Sequence, residues 1–245
     1  MSKPFLIIQL RPEDETSNNE FEKIKFYGGL ADDEIERIRI EQEPLPTLNL
    51  ENYSAIIVGG SPFDISTPEN EKSDLQVRIE SDFTQLFDQL VPKDFPFLGC
   101  CSGNGLLGAY CGTAISTKFG EDVGGADVQI TDEGKSDPLL EGMPDTIRVM
   151  LGHKEACDDV PLDATLLIRG EQCPVQMFRL KSNIYATQFH PEGDAEGFTV
   201  RVHAYKHHGY FPAEDADALI AKIENEDAPY SRMILQRFVE KYRRV

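Results

Sequence analysis

An apolar run closes on a cysteine with glycine two residues to either side: Pro96-Phe97-Leu98-Gly99-Cys100-Cys101-Ser102-Gly103. Small neighbours at those spacings let a backbone turn sharply from strand into helix, which exposes the central side chain at the end of a sheet. Such a turn also aims the first amides of the following helix at a reacting carbonyl. Cys101 is therefore the candidate nucleophile. A free thiol, with a pKa of about 8.5, is only a few per cent thiolate at neutral pH, so it needs a base. The segment Tyr185-Ala186-Thr187-Gln188-Phe189-His190-Pro191-Glu192 offers one. In extended backbone, residues i and i+2 face the same side, so Glu192 would accept the Nδ1 proton of His190 and leave Nε2 to face the thiol. Pro191 favours extended geometry at His190. An adjacent imidazole and a helix N-terminus would both favour the thiolate.

A third segment, Ile56-Ile57-Val58-Gly59-Gly60-Ser61-Pro62, reads as a strand that ends in a glycine turn. Its amides, from Gly60 or Ser61, would complete an oxyanion hole opposite the N–H of Ser102. Cys100 is set aside as nucleophile. Its flanking positions are Leu98 and Ser102, and the period-2 rule points it away from Cys101.

These side chains need elements to hold them. Strand-like runs occur at Phe5–Leu10, Ile35–Ile40, Ala55–Val58, Phe97–Cys100, Val123–Thr131, Thr146–Leu151, Thr165–Arg169, Val175–Leu180 and Ile184–Phe189. Helix-like segments lie between the early ones. Glu71–Leu90 is the clearest, with Leu75, Ile79, Phe83, Leu86, Phe87 and Leu90 at helical spacing. Alternating strand and helix implies an α/β fold with a doubly wound, mostly parallel sheet. Consecutive strands from Thr113 to Phe189 predict an antiparallel extension, with a hairpin turn at Lys181-Ser182-Asn183. Helices are expected at Ala195–His208, Ala213–Asn225 and Tyr230–Arg243. With no repeat or linker, residues 1–245 read as one domain carrying a C-terminal helical extension over about 210–245.

The chain has 40% hydrophobic and 27% charged residues, which suits a globular protein with a sizeable core. Its formal charge of −19 argues against nucleic acid and anionic membrane surfaces, which need clustered cations. The apolar runs are too short to span a bilayer, and residues 5–10 read as a first strand rather than a leader, so a cytoplasmic location is expected. Five cysteines (100, 101, 111, 157 and 173) include no Cys-x-x-Cys pair. His203 and His207 are spaced i, i+4, but no acidic motif accompanies them. Neither a metal nor a cofactor is expected. The stretch Tyr205–Tyr210 reads as bordering the pocket.

Together, Gly99-Cys100-Cys101-Ser102-Gly103, Gly59-Gly60-Ser61-Pro62 and Phe189-His190-Pro191-Glu192 resemble the three signature segments of class I (triad-type) glutamine amidotransferase domains, in order and separation. The likeness is greatest to those similar to the glutaminase domain of GMP synthase, and it covers the chain to about residue 200. It implies a flavodoxin-like sheet, a Cys101–His190–Glu192 triad, and a γ-glutamyl thioester formed from glutamine. Such amidotransferases need a synthetase to consume the ammonia, so the expectation is either a separate synthetase subunit or a free-standing hydrolase. Gly152-His153-Lys154-Glu155 resembles a family stretch near the site, which makes His153 a pocket-wall residue, and Gly105 and Gln188 are expected in the substrate pocket with it. Gly105 departs from the family, which carries a substrate-holding glutamine four residues after the nucleophile. Three functions follow as expectations: a glutaminase of amidotransferase type, a γ-glutamyl peptide hydrolase with the same triad, or a non-catalytic binding or redox-sensing protein on the same fold.

Overall fold

A computed structural model describes residues 3–209 and 211–244; Tyr210, the end of the segment read as bordering the pocket, lies outside them. The chain opens with β1 (Phe5–Gln9), α1 (Asp14–Gly28), β2 (Ile35–Arg39), β3 (Ala55–Val58), α2 (Asp74–Lys93), β4 (Phe97–Cys100) and α3 (Ser102–Tyr110). It continues with β5 (Ile115–Ser116), β6 (Glu121–Ile130), α4 (Asp132–Lys135), β7 (Thr146–His153), β8 (Ala156–Cys157), β9 (Ala164–Arg169), β10 (Met177–Leu180) and β11 (Ile184–Thr187). Three helices close it: α5 (Ala195–Tyr205), α6 (Ala216–Ile223) and α7 (Pro229–Tyr242).

Nine strands form one sheet in the order β2-β1-β3-β4-β11-β10-β9-β6-β7. The first five are mutually parallel, and the remaining four continue the sheet antiparallel. This is the flavodoxin-like arrangement with an antiparallel extension that the sequence implied. The short β5–β8 ribbon was not anticipated.

Period-2 alternation divides the core. Phe5, Ile7, Ala55, Ile57, Leu98 and Cys100 face one side of the sheet, with Ile24 of α1 and Ile234, Leu235, Phe238 and Val239 of α7. Leu6, Ile8, Ile56, Val58 and Phe97 face the other, under Ile79, Phe83, Leu86, Phe87 and Leu90 of α2 and Leu106 and Leu107 of α3. Strands covered on both faces must be apolar at every position, hence the continuous runs in the sequence. The segment expected as a C-terminal extension thus supplies one wall of the main core. Each fully buried leucine, isoleucine or phenylalanine there contributes about 1.5–3 kcal/mol.

Local chemistry sets the boundaries. Helix α2 starts at Asp74 rather than Glu71 because the Ser73 side chain accepts from the Gln76 amide (3.2 Å) and caps it there. Residues 69–71 form a separate 3₁₀ turn. Strand β11 stops at Thr187, not Phe189, because Gln188 and His190 turn their amides to Gln176 (2.8 Å) and Met150 (2.9 Å).

Candidate active site

Four strand ends meet at the carboxyl edge of the parallel strands, where open α/β sheets place their sites. The sheet order β1-β3-β4-β11 sets them side by side: Arg11 follows β1, Gly59-Gly60-Ser61 follows β3, Cys101 follows β4, and His190 follows β11. The nucleophile candidate therefore stands between the glycine turn and the histidine, although 41 and 89 residues of chain separate it from Gly60 and His190.

Cys101 sits on the sharp turn its neighbours suggested. Its φ of 53° and ψ of −95° put a non-glycine residue in backbone space that L residues avoid. Its amide donates to Thr187 O (2.7 Å), tying the turn to β11. A Cβ at Gly99 would lie 2.7 Å from the backbone of Gly103, so glycine is obligatory at 99. Gly103 is less constrained, since its nearest neighbour would be the Val58 side chain at 3.4 Å. Cys100 is buried with Leu98 in the core on the opposite face.

His190 and Glu192 are paired, with Nδ1 of one 2.7 Å from Oε1 of the other. The route differs from the extended backbone expected. Gly193 N–H donates to His190 O (2.9 Å), so His-Pro-Glu-Gly is a tight turn with proline at its second position. Glu192 is fully buried, and its Oε1 also accepts from Arg201 Nη2 (2.7 Å). Burial works to raise the Glu192 carboxyl, but the charges of His190 and Arg201 outweigh it and hold it well below the usual carboxylate range. The His190 imidazole is lowered, first by burial and then by Arg201.

The thiol does not behave as the sequence suggested. Half-buried at the cavity, Cys101 is desolvated enough to be pushed up to about 11, although Arg11 and Arg201 pull it down. At neutral pH the free site therefore holds a neutral thiol beside a neutral imidazole, the starting state for general-base activation and not for a preformed ion pair.

A buried charge network surrounds them. Glu20 of α1 is wholly inaccessible and accepts from Arg11 Nε (2.8 Å), Gln9 Nε2 (3.1 Å) and the Gly60 amide (3.1 Å). Gly60 thus turns its N–H to Glu20 and away from the cavity, which removes it as an oxyanion-hole donor in this arrangement. Ser61 stands as the alternative, with its Oγ 2.8 Å from Ser102 Oγ. The two glycines leave room for these groups. A Cβ at Gly59 would fall 2.2 Å from Glu20 Oε2, and one at Gly60 would fall 2.8 Å from His190 Cε1. Glu20, His190 and Glu192 also bring ligand-type atoms within 4.8 Å of one another, but Arg11 and Arg201 already supply the positive charge there.

Two cavities open on Cys101. One is lined by Phe63, Asp64, Ser102, Gly105, His153, Lys154, Glu155 and Gln188, so the three expected pocket residues (Gly105, His153 and Gln188) come together. Both ring nitrogens of His153 are engaged, with Glu121 Oε2 (2.9 Å) and Glu155 O (3.0 Å), which suits a wall and not a base. The carboxylate of Glu155 accepts the amides of Ile65 (2.6 Å) and Ser66 (2.8 Å). A side chain at 105 would begin 2.7 Å from Ile65 Cδ1, so Ile65 takes the room a residue there would need. The other cavity contains His190 and the face of α5, including Tyr205. His203, His207 and His208 are exposed.

Arg11, Glu20 and Arg201 were missed in the sequence, and Glu155 was quoted in the stretch near the site without a role. Charged residues near helix starts and strand ends are common, and nothing in their spacing marks these as buried. Arg201 alone carried a hint, since it stands between Phe198 and Val202 on the apolar face of a short helix.

The family model for class-I glutamine amidotransferases matches residues 24–204. A glutamine-hydrolyzing GMP synthase subunit of Pyrococcus abyssi is 27% identical over 150 residues, 61% of this chain and 71% of that one. Its counterpart in Pyrococcus furiosus is 30% identical with the same shares. In three dimensions the chain is similar to a glutamine amidotransferase from Thermotoga maritima, with TM-score 0.76, 24% identity, and 97% of this chain and 99% of that one covered. Among the described residues, no helix is long and apolar enough to cross a membrane.

Proposed function

The chain belongs to the class-I glutamine amidotransferase family, and from that premise we propose that Cys101, His190 and Glu192 hydrolyse a γ-glutamyl amide through a thioester. The observation that carries the reading is the pairing of His190 with a buried, ionised Glu192 at 2.7 Å, on the wall of a cavity that also holds Cys101 at its strained turn. Glu192 fixes the tautomer that leaves His190 Nε2 unprotonated. As the substrate carbonyl settles over the sulfur, Nε2 takes the thiol proton and sulfur attacks the carbonyl carbon. The developing oxyanion lies at the start of α3, where the Ser102 N–H has no helical carbonyl to bind. His190 then returns the proton to the departing nitrogen, the C–N bond breaks, and water added with His190 as base cleaves the thioester. The neighbouring cavity is the polar one, lined by the Lys154–Asp64 ion pair and by Glu155, which holds the Ile65 and Ser66 amides, and it is the side on which an α-amino acid end would lie. Where glutamine itself is the amide cleaved, a separate synthetase subunit would use the ammonia, in keeping with relatives that are named as subunits of GMP synthase.

The test is covalent labelling with an electrophilic glutamine analogue, read by mass spectrometry beside glutamate release. Wild type is expected to take one label on Cys101, and Cys101→Ala none. An unlabelled wild type, the outcome that a binding or redox-sensing protein predicts, or undiminished labelling of the variant, would overturn the assignment.

A further inference from the structure

The two cavities at Cys101 differ in chemistry, and the direction of proton transfer says which part of a substrate each receives. Resting on the hydrolase reading above, the leaving nitrogen must lie against His190, because that imidazole protonates it. Only one of the two cavities contains His190. The glutamyl portion then occupies the polar cavity beside Ser102 and Glu155.

Away from the reacting groups, the wall of the His190 cavity is largely apolar, with Val123, Phe198, Val202, Tyr205 and Phe211 beside the cations Arg11 and Arg201. Phe198 and Val202 are almost wholly buried on α5, and the Tyr205 hydroxyl is tied to Arg11 (3.1 Å) and Glu13 (2.9 Å), which leaves its ring as wall. One polar group on this wall is under-used. Arg201 is only 7% exposed; its Nη2 serves Glu192 and lies 3.8 Å from Glu20, its guanidinium stands over the Phe198 ring, and its Nε and Nη1 have no hydrogen-bond partner among the described residues. Guanidinium donors left unmet in a buried site are unfavourable, and an incoming anion would satisfy them.

We propose that the leaving group is an amino acid with an apolar side chain, its side chain packed on Phe198, Val202 and Phe211 and its carboxylate on Arg201, so that the substrate is a γ-glutamyl dipeptide. The reaction balances without a further reagent. The thiol proton passes to His190 and sulfur bonds to the γ-carbonyl carbon. The C–N electron pair leaves with the amino acid's nitrogen, which takes that proton. One water then converts the thioester to glutamate and restores the thiol.

Steady-state kinetics on the full chain with glutamine, γ-glutamyl-leucine, γ-glutamyl-leucinamide and γ-glutamyl-aspartate decide the matter. We expect kcat/KM for γ-glutamyl-leucine to exceed that for glutamine at least tenfold. Neutralising the carboxylate as the amide should lower it about tenfold (the loss of one charged hydrogen bond), and aspartate should fare no better than glutamine. Glutamine turned over as well as γ-glutamyl-leucine, or an amide as good as the acid, overturns this inference while leaving the hydrolase intact. Turnover of none of the four overturns both.

Discussion

Replacing Gly60 with alanine sets a methyl group where two working side chains already stand. The new Cβ would lie 2.8 Å from His190 Cε1 and 2.5 Å from Arg11 Nη2, whereas ordinary contact begins near 3.4 Å. Relief requires the imidazole to retreat by roughly 0.6 Å and the guanidinium by roughly 0.9 Å, unless the glycine turn itself moves. Arg11 cannot swing freely, because it is held by Glu20 and Tyr205 in a buried pocket. His190 is held by Glu192 and by its amide bond to Met150. Overpacking of this kind costs about 1–3 kcal/mol of stability. A misplacement approaching 1 Å costs on the order of 100-fold in rate, so Gly60→Ala should lose about 10- to 100-fold in kcat with little change in KM. Gly103→Ala, whose nearest contact would be ordinary, serves as the control and should stay within about threefold. Steady-state kinetics and urea unfolding on both variants separate the effects. A Gly60→Ala protein with wild-type kcat, or one whose loss lies wholly in KM, would refute the claim that this turn positions the imidazole.

Three further outcomes are expected. On the proposed mechanism, with neutral His190 as base, the acid limb of kcat/KM should fall below pH 6.5, because burial lowers that imidazole; with the thiol near 11, activity should stay level through neutral pH, and a limb centred above 6.5 would contradict this. Glu192→Gln should cut kcat roughly 10³- to 10⁴-fold with KM nearly unchanged, since an amide can hold the wrong imidazole tautomer; a loss under tenfold would remove Glu192 from the mechanism. Phe238→Ala should destabilise the whole protein by about 3–5 kcal/mol in one cooperative transition, because α7 walls the main core; a separate early transition for the C-terminal helices would show them to be an appendage.

Spacing along the chain made much of the site legible. Gly99 and Gly103 marked the turn at Cys101, and backbone contact at Gly99 gives the physical reason. His190 and Glu192 were paired correctly from proximity, though by a tight turn and not by extended backbone. The thiol was misjudged, because proximity to an imidazole can be read from a motif but desolvation cannot. Gly60 was offered as an amide donor because nothing near it in sequence shows Glu20, forty residues away, accepting that N–H.

By itself, the sequence determined what local chemistry determines: continuous apolar strands, the helix α2, the elbow at Cys101, and the three candidate side chains of the site. Tertiary structure decided what depends on packing between distant segments. The strand order set Cys101 between Gly60 and His190. Burial of His190 and Glu192 and the charge of Arg201 beside them set their protonation, because a protonation state follows from solvent and neighbours in space and not from position in the chain. The face of α5 turned toward His190 decided the lining of the second cavity.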